Sequence, residues 1–352
     1  MPLSDIDSPS AHLRHGVKTG IAALLAYGIT GVMDPRFGMW AVVSSVIVMQ
    51  MNVADSIRMC WYRVTGTAMG AVIGVVAILV FPNTTVGTGA GVFCAVAFCA
   101  YMTRYNPRYR MAAITVSIVL VASVGEENRI AFGMMRVLEI TIGVLCSFAV
   151  SLWIWPVRVG AALRARLEGQ FARLGTAYEM LVEAFLGTPE VGPINEHSLD
   201  SLSRDVEANR ELFRTMLRHE QPFFVDNASL LDRQLFSLEL CVRHLQAMLQ
   251  VVLDMRKGGY QLFMAEELRA VARVSREAMR DISNGVLPDA ESLRPLLVRA
   301  ETRLEELRAS GATKRFNARE LAEVLAFYGL VQRMGEDLQK ALLEGAHPSI
   351  IG

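Results

Sequence analysis

Uncharged apolar stretches dominate the first half of the chain. Residues 19–33, 37–54, 64–103, 111–125 and 140–157 hold no Asp, Glu, Lys or Arg. The third stretch is 40 residues long and is interrupted by Phe81-Pro82-Asn83, so the five stretches predict six helices. A membrane-crossing helix needs about 20 mostly apolar residues, because the hydrocarbon layer is about 30 Å thick and a helix rises 1.5 Å per residue. The two 15-residue stretches, 19–33 and 111–125, fall short of that length. Lys18 and Arg110 are expected to extend them by laying their methylene stems along the helix and lifting their charges to the headgroups. Lipid satisfies no backbone polar group, so spans of this kind must be helical.

Beyond Trp155-Pro156 the pattern changes from apolar on every face to apolar on one. Leu231, Leu235, Leu238, Val242, Leu245, Leu249 and Val252 alternate spacings of four and three, a heptad seam suited to bundle packing. Further helices are expected near 158–187, 198–219, 260–284, 289–310 and 317–344. Asn317 with Glu320 makes a capping box, Gly258-Gly259 ends the heptad helix, and 187–195, with Pro189 and Pro193, forms a loop. The fold class is therefore an all-α membrane protein in three parts. Residues 1–16 form a cytoplasmic N-terminal segment, 17–157 a six-span transmembrane domain, and 158–352 a cytoplasmic α-helical bundle.

Charge orients the spans. Ten Lys and Arg residues (Arg14, Lys18, Arg58, Arg63, Arg104, Arg108, Arg110, Arg158, Arg164 and Arg166) fall on one side, against Arg36 and Arg129 on the other. The positive-inside rule then places both termini in the cytoplasm. The overall charge of zero hides +4 in residues 1–160 and −4 in the remainder, which gives no support to nucleic-acid binding. The five cysteines form neither a disulfide framework nor a CxxC metal site. Asp5, Asp7 and two histidines precede the first apolar run, so the first span is expected to be retained rather than cleaved.

An offset of 73 residues aligns Ser44 with Ser117, Arg63 with Arg136 and Gly70 with Gly143, and one more residue aligns Phe81-Pro82 with Trp155-Pro156. Three spans per copy invert the second copy, a plan that puts a substrate site where the copies meet. Charges inside such helices are costly, so Arg136 and Glu139, three residues apart on one helix face, are pathway candidates together with Arg63. The same pair reads equally as an interfacial ion pair that sets helix depth. Asp34, before Pro35, is either a turn residue or a proton carrier. Gln50 and Asn52 are either pathway groups or satisfied helix-end amides. Gly66, Gly70 and Gly74 recur at four-residue spacing, and Gly143 stands at the matching place of the last span, so these glycines are assigned to close helix packing.

Catalytic signatures are lacking. His219-Glu220 has no second histidine, and Pro222 interrupts the helix a zinc-protease motif needs. His12 and His15 have no carboxylate or cysteine companion, and Gly87-Thr88-Gly89 follows no strand and lacks a Walker lysine. No enzyme, metal or cofactor is therefore expected.

The membrane half resembles the fusaric acid resistance and aromatic acid exporter superfamily. The resemblance rests on Lys18-Thr19, Trp40 to Ser44, Val48-Met49-Gln50, Arg58, the block Arg63-Val64-Thr65-Gly66-Thr67 with Gly70, Arg136 to Glu139 with Gly143, and Trp155-Pro156. It covers about residues 14–160. It implies a bacterial inner-membrane exporter of small aromatic or other carboxylic acids, driven by protons and assembled as a homodimer; a periplasmic adaptor is a candidate partner that the sequence itself does not show. Arg63 and Arg136 would attract the anion, while Glu139 or Asp34 exchanges a proton. The alternatives are a passive organic-anion channel and a membrane-anchored scaffold whose helical domain binds a partner.

Overall fold

A computed structural model describes residues 9–33, 38–187, 196–224, 227–255, 260, 264–286 and 292–346. Among these residues all regular structure is helical and no strand is present. Two compact units result. The first is Met1–Val159 with Arg218–Phe224, and the second is Gly160–Leu217 with Val225–Gly352.

The first unit contains α1 (Pro9–Met33), α2 (Met39–Val48), α3 (Val53–Val80), α4 (Thr85–Met102), α5 (Tyr109–Ala122) and α6 (Arg129–Trp153). Helices α1, α3, α4 and α6 are long and apolar enough to cross a membrane, whereas α2 and α5 are shorter apolar helices. Each half of the unit thus runs long, short, long. At 1.5 Å per residue α2 measures about 15 Å and α5 about 21 Å, less than the hydrocarbon thickness.

The expectation of a helix filling 37–54 is corrected here. Met49 turns to extended backbone (φ −67°, ψ 124°), and Asn52 is already the cap of the next helix. Gln50, Met51 and Asn52 carry no charge, so nothing in the hydropathy marked this turn. The first span gains its length differently from expectation as well. Among the described residues helix α1 runs from Pro9, ahead of the charge-free window. Lys18 therefore lies well inside α1, only 3% exposed, with Nζ donating to the Trp155 carbonyl at 3.4 Å. Arg110 is exposed in the first turn of α5. The break at Pro82 falls where the sequence placed it. Phe81 is extended (φ −101°, ψ 135°), as the ring of a following proline requires, and Thr84 caps α4 by accepting from the Gly87 N–H.

Packing within the unit is reciprocal. The short helix of each half lies mainly on the last helix of the other, α2 on α6 and α5 on α3. Small residues make these approaches possible. A Cβ added at Gly66 would overlap the Met111 side chain, one at Gly70 would sit 2.6 Å from the Ala112 carbonyl oxygen, and one at Gly74 would lie 2.9 Å from Val119. On α6 a Cβ at Gly143 would overlap the Ala41 carbonyl oxygen of α2. Gly70 and Gly143 thus hold equivalent contacts in exchanged halves. The Ser147 hydroxyl donates to the Ser45 carbonyl at 2.7 Å across the α6–α2 contact. Outward, Leu24, Val32, Leu79, Phe93 and Trp153 are each at least 70% exposed. An uncharged apolar surface of that extent suits lipid contact.

The second unit holds α7 (Val159–Phe185, from Gly160 onward), α8 (Glu196–His219, to Leu217), α9 (Ala228–Asp254), α10 (Ala265–Asn284), α11 (Arg294–Ala309) and α12 (Ala318–Ala346), with a short 3-10 turn at Ala312–Arg315. Leu231, Leu235, Leu238, Val242, Leu245 and Leu249 of the heptad seam are buried, and Val252 is half-buried. Helix α9 packs on α12, and Gln234 in its buried face donates to the Ile282 and Ser283 carbonyls at the end of α10. Phe185 stacks flat on Phe327 at 3.8 Å, joining α7 to α12. The capping box forms as expected. Asn317 Oδ1 accepts from the Glu320 N–H at 2.9 Å, and Glu320 Oε2 accepts from the Asn317 N–H at 3.0 Å. By length and composition alone α9 also qualifies as a membrane-crossing helix, a feature its heptad reading did not anticipate. Gly258-Gly259, Pro189 and Pro193 lie outside the described residues.

Candidate functional site

Arg63 stands ten residues into α3, about 15 Å along the axis from Val53. It is the largest fully buried side chain, 0% exposed. Helix α3 presents it where α2 and α5 converge. Nη2 donates to the Ser44 hydroxyl at 3.2 Å, Nη1 approaches the Met111 sulfur at 3.8 Å, and Nε has no partner. Among the described residues no carboxylate lies within ion-pair distance of it. Burying an ionised guanidinium costs several kcal/mol unless charge and hydrogen bonds compensate. One hydroxyl and one thioether do not supply that compensation. A carboxylate does, because two oxygens match the planar guanidinium fork.

The repeat-related Arg136 is arranged differently. Its Nη1 meets Glu139 Oε1 at 2.6 Å, both side chains being nearly buried, and its guanidinium lies 4.6 Å from the centre of the Phe132 ring. The second oxygen of Glu139 accepts from the Gly38 N–H at 3.3 Å. Gly38 has φ 133°, a backbone conformation that side chains rarely adopt, and it stands immediately before α2. Glu139 thus ties α6 to the positive end of α2 while neutralising Arg136. The 73-residue offset explains the contrast, since it sets Glu139 against Gly66. The first copy has the arginine without the carboxylate. Arg63 and Arg136 keep separate partners and are not brought together.

Asn52 Oδ1 accepts from the Asp55 N–H at 2.7 Å as the cap of α3, and its Nδ2 donates to Asp55 Oδ2 at 2.8 Å. Gln50 Nε2 donates back to the Ile47 carbonyl at 3.2 Å, and its N–H donates to the Ser56 hydroxyl at 3.0 Å. Both amides serve the α2–α3 turn. Asp34 lies outside the described residues.

Several groups escaped the sequence reading. Ser44 was visible as a repeat match and as part of the Trp40 to Ser44 run, but not as a partner of Arg63. Arg129, counted there as an outer-loop charge because it follows Glu126-Glu127-Asn128, is 8% exposed and reaches Ser123 Oγ and Thr88 Oγ1, each at 3.4 Å. Nothing in its neighbours signalled burial. The turn Arg218–Phe224 belongs to the first unit, although its sequence sits in the second half of the chain. Helix α8 ends at His219, ahead of Pro222. Glu220 is fully buried and accepts from the Val159 N–H at 2.7 Å, Phe223 meets Phe148 edge-on at 5.4 Å, and Arg158 lies 5.0 Å from the Phe224 ring centre. Burial holds the His219 imidazole below its usual value, with Arg58 and Arg218 adding to the effect and Asp55 opposing it. Among the described residues no group of three or more His, Cys, Asp or Glu could hold a metal ion.

The chain is similar to several known proteins. It is 25% identical over 170 residues to a UPF0421 protein of Halalkalibacterium halodurans, covering 48% of this chain and 46% of that one. It is 24% identical over 202 residues to aluminum-activated malate transporter 10 of Arabidopsis thaliana, covering 53% and 40%, and 25% identical over 150 residues to the inner membrane protein YccS of Escherichia coli, covering 42% and 20%. The chain thus spans less than half the length of these relatives. The model of the fusaric acid resistance protein family matches residues 12–349, nearly the whole sequence. The buried arginines, the glycine-packed helices and the helical second unit are therefore those of a member of the fusaric acid resistance protein family, to which this chain belongs.

Proposed function

We propose that the protein exports small organic, chiefly aromatic, carboxylates across a bacterial inner membrane, coupled to proton entry. The observation that carries this reading is Arg63, a fully buried cation with no carboxylate partner among the described residues. The anion binds with its carboxylate on the Arg63 guanidinium and the Ser44 hydroxyl, and its ring lies against the polarisable Met111 sulfur. Glu139 takes the proton when its pair with Arg136 opens, which at the same time frees the start of α2. Family membership supports the reading, as do relatives whose names describe a malate transporter and an inner membrane protein.

In this reading α1 to α6 cross the membrane six times as two inverted triplets. Both termini and residues 158–352 lie in the cytoplasm. Helix α9 stays in that cytoplasmic bundle, because its apolar stripe is already covered and Asp232, Arg233, Glu239 and Arg243 line its other faces. Two chains form the working dimer, which delivers cargo to a periplasmic adaptor.

Passive anion conduction is the second reading. The state of Glu139 favours it, since both carboxylate oxygens are already hydrogen bonded and conduction needs no titrating group. Efflux of a labelled aromatic carboxylate from proteoliposomes, with and without an imposed proton gradient, separates the two. Export predicts uphill movement that a protonophore abolishes and that Glu139→Gln eliminates while downhill exchange persists. Flux that only ever runs downhill, and is indifferent to Glu139→Gln, assigns the protein to the channel class.

A further inference from the structure

Arg129 is a further buried arginine of the first unit, and it has no part in the surroundings of Arg63 or Arg136. It opens α6, is 8% exposed, and draws together the ends of three helices. Nε donates to the Ser123 hydroxyl at the end of α5, and Nη2 to the Thr88 hydroxyl in the first turn of α4, each at 3.4 Å. Both bonds are long, since such contacts usually span about 2.9–3.0 Å. An arginine at a membrane face ordinarily lifts its charge to the headgroups, whereas this one is held inside. Glu126 and Glu127 precede it closely, yet both are exposed, and among the described residues no carboxylate lies within ion-pair distance of its guanidinium.

Two donors at this spot have open capacity. Nη1 of Arg129 has no partner among the described residues and, unlike Nε of Arg63, is not sealed from the surface. The Thr88 hydroxyl proton is the second. Thr30, Thr65, Thr115 and Thr141 each donate to the carbonyl four residues earlier, whereas Thr88 accepts from Arg129 and has no acceptor of its own among the described residues. Ser123 is committed differently. Its hydroxyl donates to the Leu120 carbonyl at 3.1 Å and accepts from Nε, which orients the guanidinium. A fixed cation with one open N–H and one open O–H beside it matches the two oxygens of a carboxylate. The positive ends of α4 and α6 strengthen the attraction, because both helices begin there.

Helix α5 relates this spot to Arg63. Arg63 approaches Met111 near the start of α5, and Arg129 holds Ser123 at its end, so each end of one short helix meets an arginine with no carboxylate partner among the described residues. The two contacts are about 18 Å apart along the helix, at 1.5 Å per residue. We propose that Arg129 and Thr88 form a second carboxylate site, which takes the exported aromatic acid from the Arg63 end of α5 and holds it before release at the outer face. Its place in export rests on the exporter reading and the membrane topology proposed above. Two stations, each holding the anion weakly, let it pass along the protein without being trapped at one.

Equilibrium dialysis of radiolabelled benzoate against the purified full chain in detergent tests the site apart from transport. Wild-type protein should bind two equivalents per chain, and Arg129→Gln and Arg63→Gln one each. Thr88→Val should weaken the Arg129-dependent equivalent about tenfold, the worth of one hydrogen bond to a charged group. Arg129→Lys should keep that equivalent, and Arg164→Gln, at an exposed arginine of the second unit, should change nothing. If Arg129 only ties three helix ends together, Arg129→Gln lowers the yield of folded protein but leaves benzoate binding per folded chain at the wild-type level. That result overturns the proposal, as does displacement of the Arg129-dependent equivalent by equimolar chloride. If Arg129→Gln loses an equivalent and Arg63→Gln loses none, the site stands and the role given to Arg63 in export fails.

Discussion

Arg63 and Arg136 occupy matching places 73 residues apart, yet Arg136 is paired with a carboxylate and Arg63, among the described residues, is not. The cause is a single position, Glu139 in one copy and Gly66 in the other. Its consequence is that Glu139 neutralises Arg136 and ties α6 to the start of α2, whereas Arg63 has no carboxylate partner among the described residues. Removing one partner of a buried pair costs about 3–5 kcal/mol, because it strands the other charge. Arg136→Ala should therefore lower the amount of folded protein recovered from membranes, whereas Arg63→Met, which strands nothing, should not; quantitative immunoblotting of membrane fractions checks both. His219 adds a pH dependence. Its folded value lies below the ordinary 6.5, so the folded state favours neutral imidazole. That stabilisation is complete above pH ~6.5 and is lost as pH falls through the lowered folded value. Acidification should loosen the Arg218–Phe224 turn, seen as faster hydrogen exchange at Phe223 and Phe224, and His219→Gln should remove the pH dependence.

Helix ends were legible where a residue type dictates geometry and illegible where only hydropathy spoke. Pro82 stopped α3, and Asn317 with Glu320 capped α12, because a ring and a reciprocal pair of hydrogen bonds act locally. The end of α2 was missed because Gln50, Met51 and Asn52 are uncharged, although they form a turn in which Asn52 caps α3. Asn317→Ala should cost about 1 kcal/mol of local stability, measurable as reduced exchange protection in the first turn of α12. Packing follows small residues. Gly143→Val would drive a branched side chain into the Ala41 carbonyl, a clash worth roughly 1–3 kcal/mol. It should lower the thermal midpoint of detergent-solubilised protein, while Gly89→Ala, with nothing within 4 Å, should leave it unchanged or raise it slightly.

At the scale of the whole chain, charge-free windows foretold an apolar helical half and a heptad seam foretold a helical second unit. What they could not foretell was membership of the Arg218–Phe224 turn in the first unit, since a short polar stretch carries no periodicity to betray its packing. Nor could composition distinguish Arg129 or Lys18, both buried, from the interfacial charges they resemble in sequence. A first unit that exposes large apolar side chains along its helices, and whose interior holds an arginine with no carboxylate partner among the described residues, has the physical elements the proposed anion path needs. The most direct test of that account is the flux of a labelled aromatic carboxylate in proteoliposomes bearing wild-type protein or Arg63→Gln, at matched amounts of inserted protein. The account predicts that Arg63→Gln lowers the flux at least tenfold, since a charge-assisted contact to a buried anion is worth about 2 kcal/mol or more. Wild-type flux from Arg63→Gln would contradict it.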